Sequence, residues 1–138
     1  MVIQRWQTVF LLIAAICMAL VSFLSLGNGT LACGDHGSVT ALNFQPLFIV
    51  NILVTILLII DIFLYRNLGL QKKVALISVL LELVSIIIIV ILMLPSLGYI
   101  LEMSWTATLP VPALILTILA RSRMAADERL LKSYDRLR

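Results

Sequence analysis

Two acidic residues, Asp61 and Glu82, interrupt long apolar runs in the sequence. A carboxyl group in such a run is costly to bury and usually faces protein or water. Helical spacing places Asn51 and Asp61 on one face of their helix, and Ser78, Glu82 and Ser85 on one face of the next. Both faces are expected to point into a helix bundle. Two interpretations follow: a site that handles protons or cations, or carboxyl groups that hold helices together.

The structural interpretation is favoured, and it requires partners for both carboxyl groups. Glu82 lies roughly 12 Å inside its apolar run at 1.5 Å per residue. Because no basic residue lies within the runs, this carboxyl is expected to be uncharged. Tyr65 follows the same helical spacing as Asp61 and is expected on the same inner face. The candidate hydrogen-bond partners near the ends of the runs are Gln4, Thr8, Tyr65 and Arg66.

The remaining reactive side chains form weaker patterns. Cys17 and Cys33 are too far apart in the expected topology for an intrachain disulfide, so Cys33 is either a free thiol, which is favoured, or an interchain link. Cys33, Asp35 and His36 are metal-ligand types, but their spacing is unlike that of zinc sites. With one His and two Cys, no nucleophile and base set, phosphate loop or haem ligand pair can be assembled. We therefore expect no enzyme activity, no cofactor and no metal site.

Composition indicates that lipid surrounds these residues. The chain has 138 residues, of which 62% are hydrophobic and 12% charged, against about 25% charged in a soluble domain. An unbroken apolar run at 86–94 is unlike the alternating pattern of a membrane β-barrel. We predict an all-α fold, a four-helix transmembrane bundle over residues 1–120. A span needs about 20 apolar residues, and the stretches that come close are 6–26, 46–65, 74–94 and 105–120.

The fourth stretch is the shortest and contains two prolines. Pro110 and Pro112 lack backbone donors. They are expected either to kink this span or to delay its regular part until after Pro112.

The basic residues predict the orientation of the spans. All ten lie on one side of the four-span arrangement, and the opposite loops contain none. Because positive residues near span ends stay cytoplasmic, both termini and the loop at 66–73 are expected in the cytoplasm, with the protein in an inner membrane. No folded basic domain supports nucleic-acid binding. The ten residues are Arg5, Arg66, Lys72, Lys73, Arg121, Arg123, Arg129, Lys132, Arg136 and Arg138.

The tail at 121–138 is predicted to form a short amphipathic helix. Leu130, Leu131, Tyr134 and Leu137 form one apolar stripe at helical spacing. A basic amphipathic helix of this kind favours a lipid surface or a partner protein. The stripe is therefore a candidate site for the membrane surface or for another subunit.

Three segments carry a resemblance to a known family. They are the opening Ile3-Gln4-Arg5-Trp6-Gln7-Thr8, the Phe63-Leu64-Tyr65-Arg66-Asn67 exit with Leu70-Gln71-Lys72-Lys73, and the closing Asp135-Arg136-Leu137-Arg138. The chain resembles, over its whole length, the bacterial four-span family filed as domain of unknown function 4293. The resemblance implies an inner-membrane protein with four helices. It implies no biochemical activity.

Two functional classes follow from these observations. The favoured class is a non-catalytic accessory or assembly subunit of a larger membrane complex, because little of the chain lies outside the spans. The rival class is a small carrier or channel component that uses Asp61 and Glu82 for protons or cations. The expected partners are the lipid bilayer and other integral membrane subunits, and a homo-oligomer stays open.

Overall fold

Four long helices account for most of the chain. The computed structural model describes residues 2–30, 34–94, 96 and 99–137. Within this part, the helices are α1 (Val2–Phe23), α2 (Gln45–Phe63), α3 (Leu68–Met93) and α4 (Pro110–Arg136). Each is long and apolar enough to cross a membrane. Helices are favoured there because lipid offers no hydrogen bonds to the backbone. The predicted all-α four-helix bundle is confirmed.

The helices pack as a ring in chain order. α1 packs against α2 and α4, and α3 packs against the same two helices. Residues 64–67 join α2 to α3 in a single tight turn, which makes these neighbours antiparallel. The outer surface of the ring is apolar, as shown by Ile49, Leu80 and Ile115, each more than half exposed. Lipid is the environment that suits this surface.

The fourth helix begins earlier than Pro112 and continues past the predicted span. A short 3₁₀ turn at Trp105–Thr108 precedes it, and Pro110 is its first residue. Proline is tolerated in a first turn, where a missing backbone donor breaks no hydrogen bond. Helical hydrogen bonding is already present at Ala113, whose N–H donates to the Leu109 carbonyl at 3.2 Å. No break separates residues 105–120 from the predicted tail, so the tail is the end of α4.

A small antiparallel sheet, which the sequence analysis did not predict, covers one end of the bundle. Its strands are β1 (Ser25–Thr30), β2 (His36–Thr40) and β3 (Glu102–Met103), in the order β2-β1-β3. The first span was predicted to run to residue 26, but α1 ends at Phe23 because the next residues join β1. The Leu101 and Ser104 N–H groups donate to the carbonyls of Asn28 and Leu26 at 3.0 and 2.8 Å.

Two glycines of β1 allow the third strand to approach. A methyl group at Gly27 would overlap the carbonyl oxygen of Glu102, and one at Gly29 would overlap that of Tyr99. Because the obstacle is backbone, a side chain at either position could not be relieved by a rotamer change. The sheet therefore depends on glycine at both positions.

The bundle has two unlike ends. The sheet end consists of β1, β2, β3 and the apolar residues beneath them. The basic end consists of the turn at 64–67, the first turn of α3 with Lys72 and Lys73, the start of α1 and the last turns of α4. Most of the buried polar residues lie between the two ends and toward the basic end, and Ser22 and Thr106 are buried at the sheet end.

Candidate functional site: buried polar side chains of the bundle

The predicted polar residues lie where the inner faces of the helices meet, which we call the seam of the bundle. Buried residues of α3 alternate at spacings of three and four, which is the heptad spacing of helices that pack side by side. The inner faces predicted for Asn51, Asp61, Ser78, Glu82 and Ser85 are the faces observed, and all five residues are fully buried. The inner residues of α3 are Gln71, Ala75, Ser78, Glu82, Ser85, Ile89 and Leu92.

Asn51 and Ser85 connect α2 to α3. The Ser85 hydroxyl donates to Asn51 Oδ1 at 2.6 Å. The Asn51 Nδ2 group is buried and has no hydrogen-bond partner among the described residues. One polar contact thus holds the two helices in register and leaves one amide donor without a partner.

Glu82 contacts α4 through Thr117, a residue that the sequence analysis did not single out. Thr117 Oγ1 lies 2.9 Å from Glu82 Oε1 and 3.0 Å from the Ala113 carbonyl oxygen. A hydroxyl has one hydrogen, so it cannot fully donate to both acceptors. Both contacts are satisfied when Glu82 is protonated and donates to Thr117, which then donates to Ala113. An uncharged Glu82 stays a prediction, and this geometry accommodates it.

The side chain of Asp61 is buried and has no partner among the described residues. Both carboxyl oxygens lack a hydrogen-bond partner in the described part of the chain. Its backbone carbonyl accepts a hydrogen bond from Gln71 Nε2 at 3.0 Å, and Gln71 Oε1 has no partner among the same residues. Three acceptor oxygens therefore lie near the basic end of the seam, two on Asp61 and one on Gln71.

The predicted inward position of Tyr65 is wrong, and Tyr65, one of the four candidate partners of the acids, bonds to neither of them. α2 ends at Phe63, and Tyr65 lies in the following 3₁₀ turn with 56% of its surface exposed. The helical spacing that includes Asp61 does not extend beyond the end of the helix. The partner of Glu82 is Thr117, and no hydrogen bond joins Asp61 to Tyr65 or Arg66.

Charged and polar contacts fix the register of α4 at the basic end. Gln7 Nε2 donates to Asp127 Oδ2 at 2.5 Å, which connects α1 to α4. Glu128 forms ion pairs with Lys72 of α3 and with Lys132, the latter at 2.9 Å. Glu128 lies beyond the apolar part of α4, and hydrogen bonds from Lys72 and Lys132 hold its pKa well below the ordinary value for glutamate.

The sheet end contains no comparable polar layer in its interior. A cluster of buried apolar residues lies under the sheet, including Val21, Leu26, Leu47, Ile89 and Ile100. Ser22 and Thr106 are buried at this end, and other polar groups line a surface groove of about 370 Å³. The groove is lined in part by Asn28, His36 and Glu102, and Asn28 Nδ2 donates to Glu102 Oε2 at 3.5 Å.

The described residues include no metal-binding group. No three His, Cys, Asp or Glu residues lie close enough together to hold an ion within residues 2–30, 34–94, 96 and 99–137. Asp35 and His36 are described, whereas Cys33 lies outside these residues. Cys17 has a free thiol and is partly buried.

The sequence contained a signal for the residues that were missed. Thr117 follows Ala113 by four positions and precedes Ala120 by three, which is the spacing seen on the other inner faces. Gln7 and Gln71 occupy equivalent positions at the start of their seams. The heptad spacing of all four helices, compared with one another, predicts these polar positions.

The fold and its interior define the class of this protein. Four apolar helices with polar side chains turned inward indicate a multi-pass membrane protein. The sequence matches the model of a family described as Domain of unknown function (DUF4293) over residues 3–137, and the chain belongs to that family. No curated protein and no solved structure gives a significant match.

Proposed function

We propose that the protein is a non-catalytic accessory or assembly subunit of a larger membrane complex. The observation that carries this proposal is the unpartnered end of α4. Its inner spacing continues past Met124 through Asp127 to Leu131 and Tyr134. Asp127 contacts α1, but Leu131 and Tyr134 are 56% and 69% exposed. The exposed part of this seam therefore begins at the level where α1 and α3 start, where Leu131 lines an open groove with residues 66–70, and continues past that level to Tyr134.

The length and direction of this segment favour a protein partner over the lipid surface. From Asp127 to Arg136, α4 extends about 14 Å at 1.5 Å per residue. A helix that continues a membrane span without a break leaves the membrane instead of lying along it. We refer to residues 129–136 as the α4 extension. Its apolar stripe includes Leu130, Leu131 and Tyr134, and Leu137 follows at the same face, also exposed.

The charges of the α4 extension define the expected partner. Arg129, Lys132 and Arg136 outnumber the single acid Asp135. A complementary surface is an amphipathic helix of another subunit, with an apolar stripe and acidic residues beside it. A second copy of this chain has the same basic excess and is the less favourable occupant.

A matched pair of variants tests the proposal. Leu131→Asp introduces a charge within the stripe, whereas Ser133→Asp introduces the same charge at the edge of the stripe, on the side of the helix opposite Leu131. Complexes are purified from native membranes in mild detergent, and the recovered subunits are quantified. Leu131→Asp is expected to reduce recovery severalfold, and Ser133→Asp to reduce it much less. Equal recovery with both variants, or a purified complex that contains only this chain, would contradict the proposal.

The proposal includes a bacterial inner membrane with both termini in the cytoplasm. Every Lys and Arg that the structure describes lies toward the basic end, which supports this orientation. In a chain without Cys17 and Cys33, Ser38→Cys places a thiol at the sheet end and Ser133→Cys places one in the α4 extension. A membrane-impermeant maleimide should label position 38 in intact spheroplasts and position 133 only after lysis. The reverse pattern would invert the orientation.

A second candidate function is a carrier or channel component for protons or cations. The buried oxygens of Asp61 and Glu82 that lack partners in the described chain favour it. The apolar cluster under the sheet argues against a continuous polar path through the bundle. Asp61→Asn and Glu82→Gln keep the shape of both side chains, so an accessory subunit should still assemble. Ion flux in proteoliposomes that disappears in Glu82→Gln, with the fold intact, would establish the carrier instead.

A further inference from the structure

Three side-chain contacts fix how far α4 is displaced along its neighbours. Asp127 lies level with Gln7 of α1, Glu128 with Lys72 of α3, and Thr117 with Glu82 of α3. The number of residues from Thr117 to Glu128 along α4 equals the number from Glu82 to Lys72 along α3 to within one residue. The position of any α4 residue along the bundle axis, which we call its level, can therefore be compared with the residues of α1 and α3 beside it.

This register places two arginines deeper than the other charged residues of the basic end. Arg121 and Arg123 precede Asp127 by six and four residues, which is about 9 and 6 Å at 1.5 Å per residue. Both are exposed. Within two residues of the level of Arg121, α1 and α3 present Ile13 and Leu80, whose side chains are 42% and 54% exposed. The arginines thus share a level with apolar, lipid-facing side chains.

The short apolar part of α4 produces this arrangement. The span that ends before Arg121 covers residues 105–120 and is a regular α-helix only from Pro110, whereas a bilayer core about 30 Å thick needs about 20 helical residues. In α3, residues 74–93 contain a single buried acid and span about 30 Å. Going from the bilayer centre toward the basic end, the lipid-facing surface of α4 becomes polar about two turns earlier than the surfaces of α1 and α3.

The two arginines lie on opposite flanks of α4. Arg121 is seven residues from Glu128, which pairs with α3, so it lies on the α3 side. Arg123 is four residues from Asp127, which bonds to α1, so it lies on the α1 side. Ser122, between them, faces away from the bundle and is exposed. No hydrogen bond or ion pair joins either arginine to another described residue.

We propose that Arg121 and Arg123 bind phosphate groups of anionic phospholipids, and that the headgroup layer dips toward the bilayer centre beside α4. A guanidinium group binds phosphate through paired, charge-assisted hydrogen bonds. The described acids near this level are buried or already paired, so the anion must come from outside the chain. Lipid phosphates can reach both flanks of the outer face of α4, whereas a single partner helix covers one. The site is independent of the α4 extension and of the proposed function.

Lipid retention provides the first test. The full chain is purified, exchanged into phosphatidylglycerol or phosphatidylcholine, and analysed by native mass spectrometry during stepwise delipidation. The variant Arg121→Gln/Arg123→Gln is compared with Arg129→Gln/Arg136→Gln, which removes the same charge from the same helix farther along. The first pair should lose phosphatidylglycerol retention by about fivefold per arginine, and the second pair should retain it. Inorganic phosphate should not displace the lipid.

Depth measurement provides the second test. In a chain without Cys17 and Cys33, spin labels are placed at Ser122→Cys, Ile13→Cys and Leu80→Cys in vesicles containing phosphatidylglycerol. The Ser122 label should collide with a water-soluble nickel complex, as a headgroup position does, while the other two collide with oxygen. Equal lipid loss in both double variants, or a Ser122 label as deep as those at 13 and 80, would overturn the proposal.

Discussion

Different interactions hold the sheet end and the basic end of the bundle together. At the sheet end, three strands lie over buried apolar residues, and their approach requires Gly27 and Gly29. At the basic end, Gln7, Asp127, Lys72 and Glu128 hold the helices through polar contacts. Packing against backbone leaves no room for adjustment, whereas long polar side chains can rearrange at little cost.

This difference predicts where the molecule is rigid and where it can accept a partner. The fully buried acids Asp61 and Glu82 lie between the ends, and both the unpartnered stripe and the exposed arginines lie toward the basic end. Interactions with lipid and with other subunits are therefore expected on that side. The sheet end is expected to act as the fixed base of the bundle.

The largest effect is expected from a glycine of the sheet. Gly29→Ala introduces a methyl group against the Tyr99 carbonyl and should destabilise the protein near the upper part of the range of about 1–3 kcal/mol for overpacking. Gly69→Ala makes the same change in the first turn of α3, where nothing lies within 4 Å of the added atom. Alanine is favoured there by helix propensity. In detergent, Tm should fall for Gly29→Ala and rise for Gly69→Ala. Equal Tm shifts would contradict the predicted difference between the two ends.

An intermediate effect is expected from the seam between the ends. Thr117→Val removes the hydroxyl that joins α4 to Glu82 and should cost about 0.6–2 kcal/mol. Thr55→Val is the matched control, because the Thr55 hydroxyl bonds only to the Asn51 carbonyl of its own helix. Unfolding of both variants in the same detergent measures the difference. If the two changes cost the same, the contact between Thr117 and Glu82 does not hold the helices together.

The smallest effect is expected from the exposed ion pairs of Glu128. Its pKa is lowered in the fold, so its stabilisation is complete above the ordinary glutamate pKa and is lost as the pH falls through the lowered value. Glu128→Gln should lower Tm slightly at neutral pH, and the difference from the wild type should vanish in acid. Asp135→Asn, an exposed acid without an ion pair among the described residues, is the control. A difference that grows on acidification would contradict this assignment.

The sequence predicted the helices and the inner faces well because both depend on local spacing. Apolar stretches of about 20 residues have one stable form in lipid, and polar residues such as Asn51 and Glu82 identify the face turned away from it. The boundaries were less accurate where neighbours decide them. α1 ends at Phe23 because the following residues pair with β2 and β3, and Tyr65 turns outward because α2 has ended.

Only the tertiary structure decided which residues meet. β1 and β3 are separated by more than 70 residues and have no alternating apolar pattern, so their pairing depends on how α1, α3 and α4 bring them together. The partner of Glu82 depends on the displacement of α4 along α3, and so does the depth of Arg121 and Arg123. Composition and spacing determined that four helices cross a membrane with their polar faces inward. The register between those helices, set by contacts far apart in sequence, determined what lies beside each polar group.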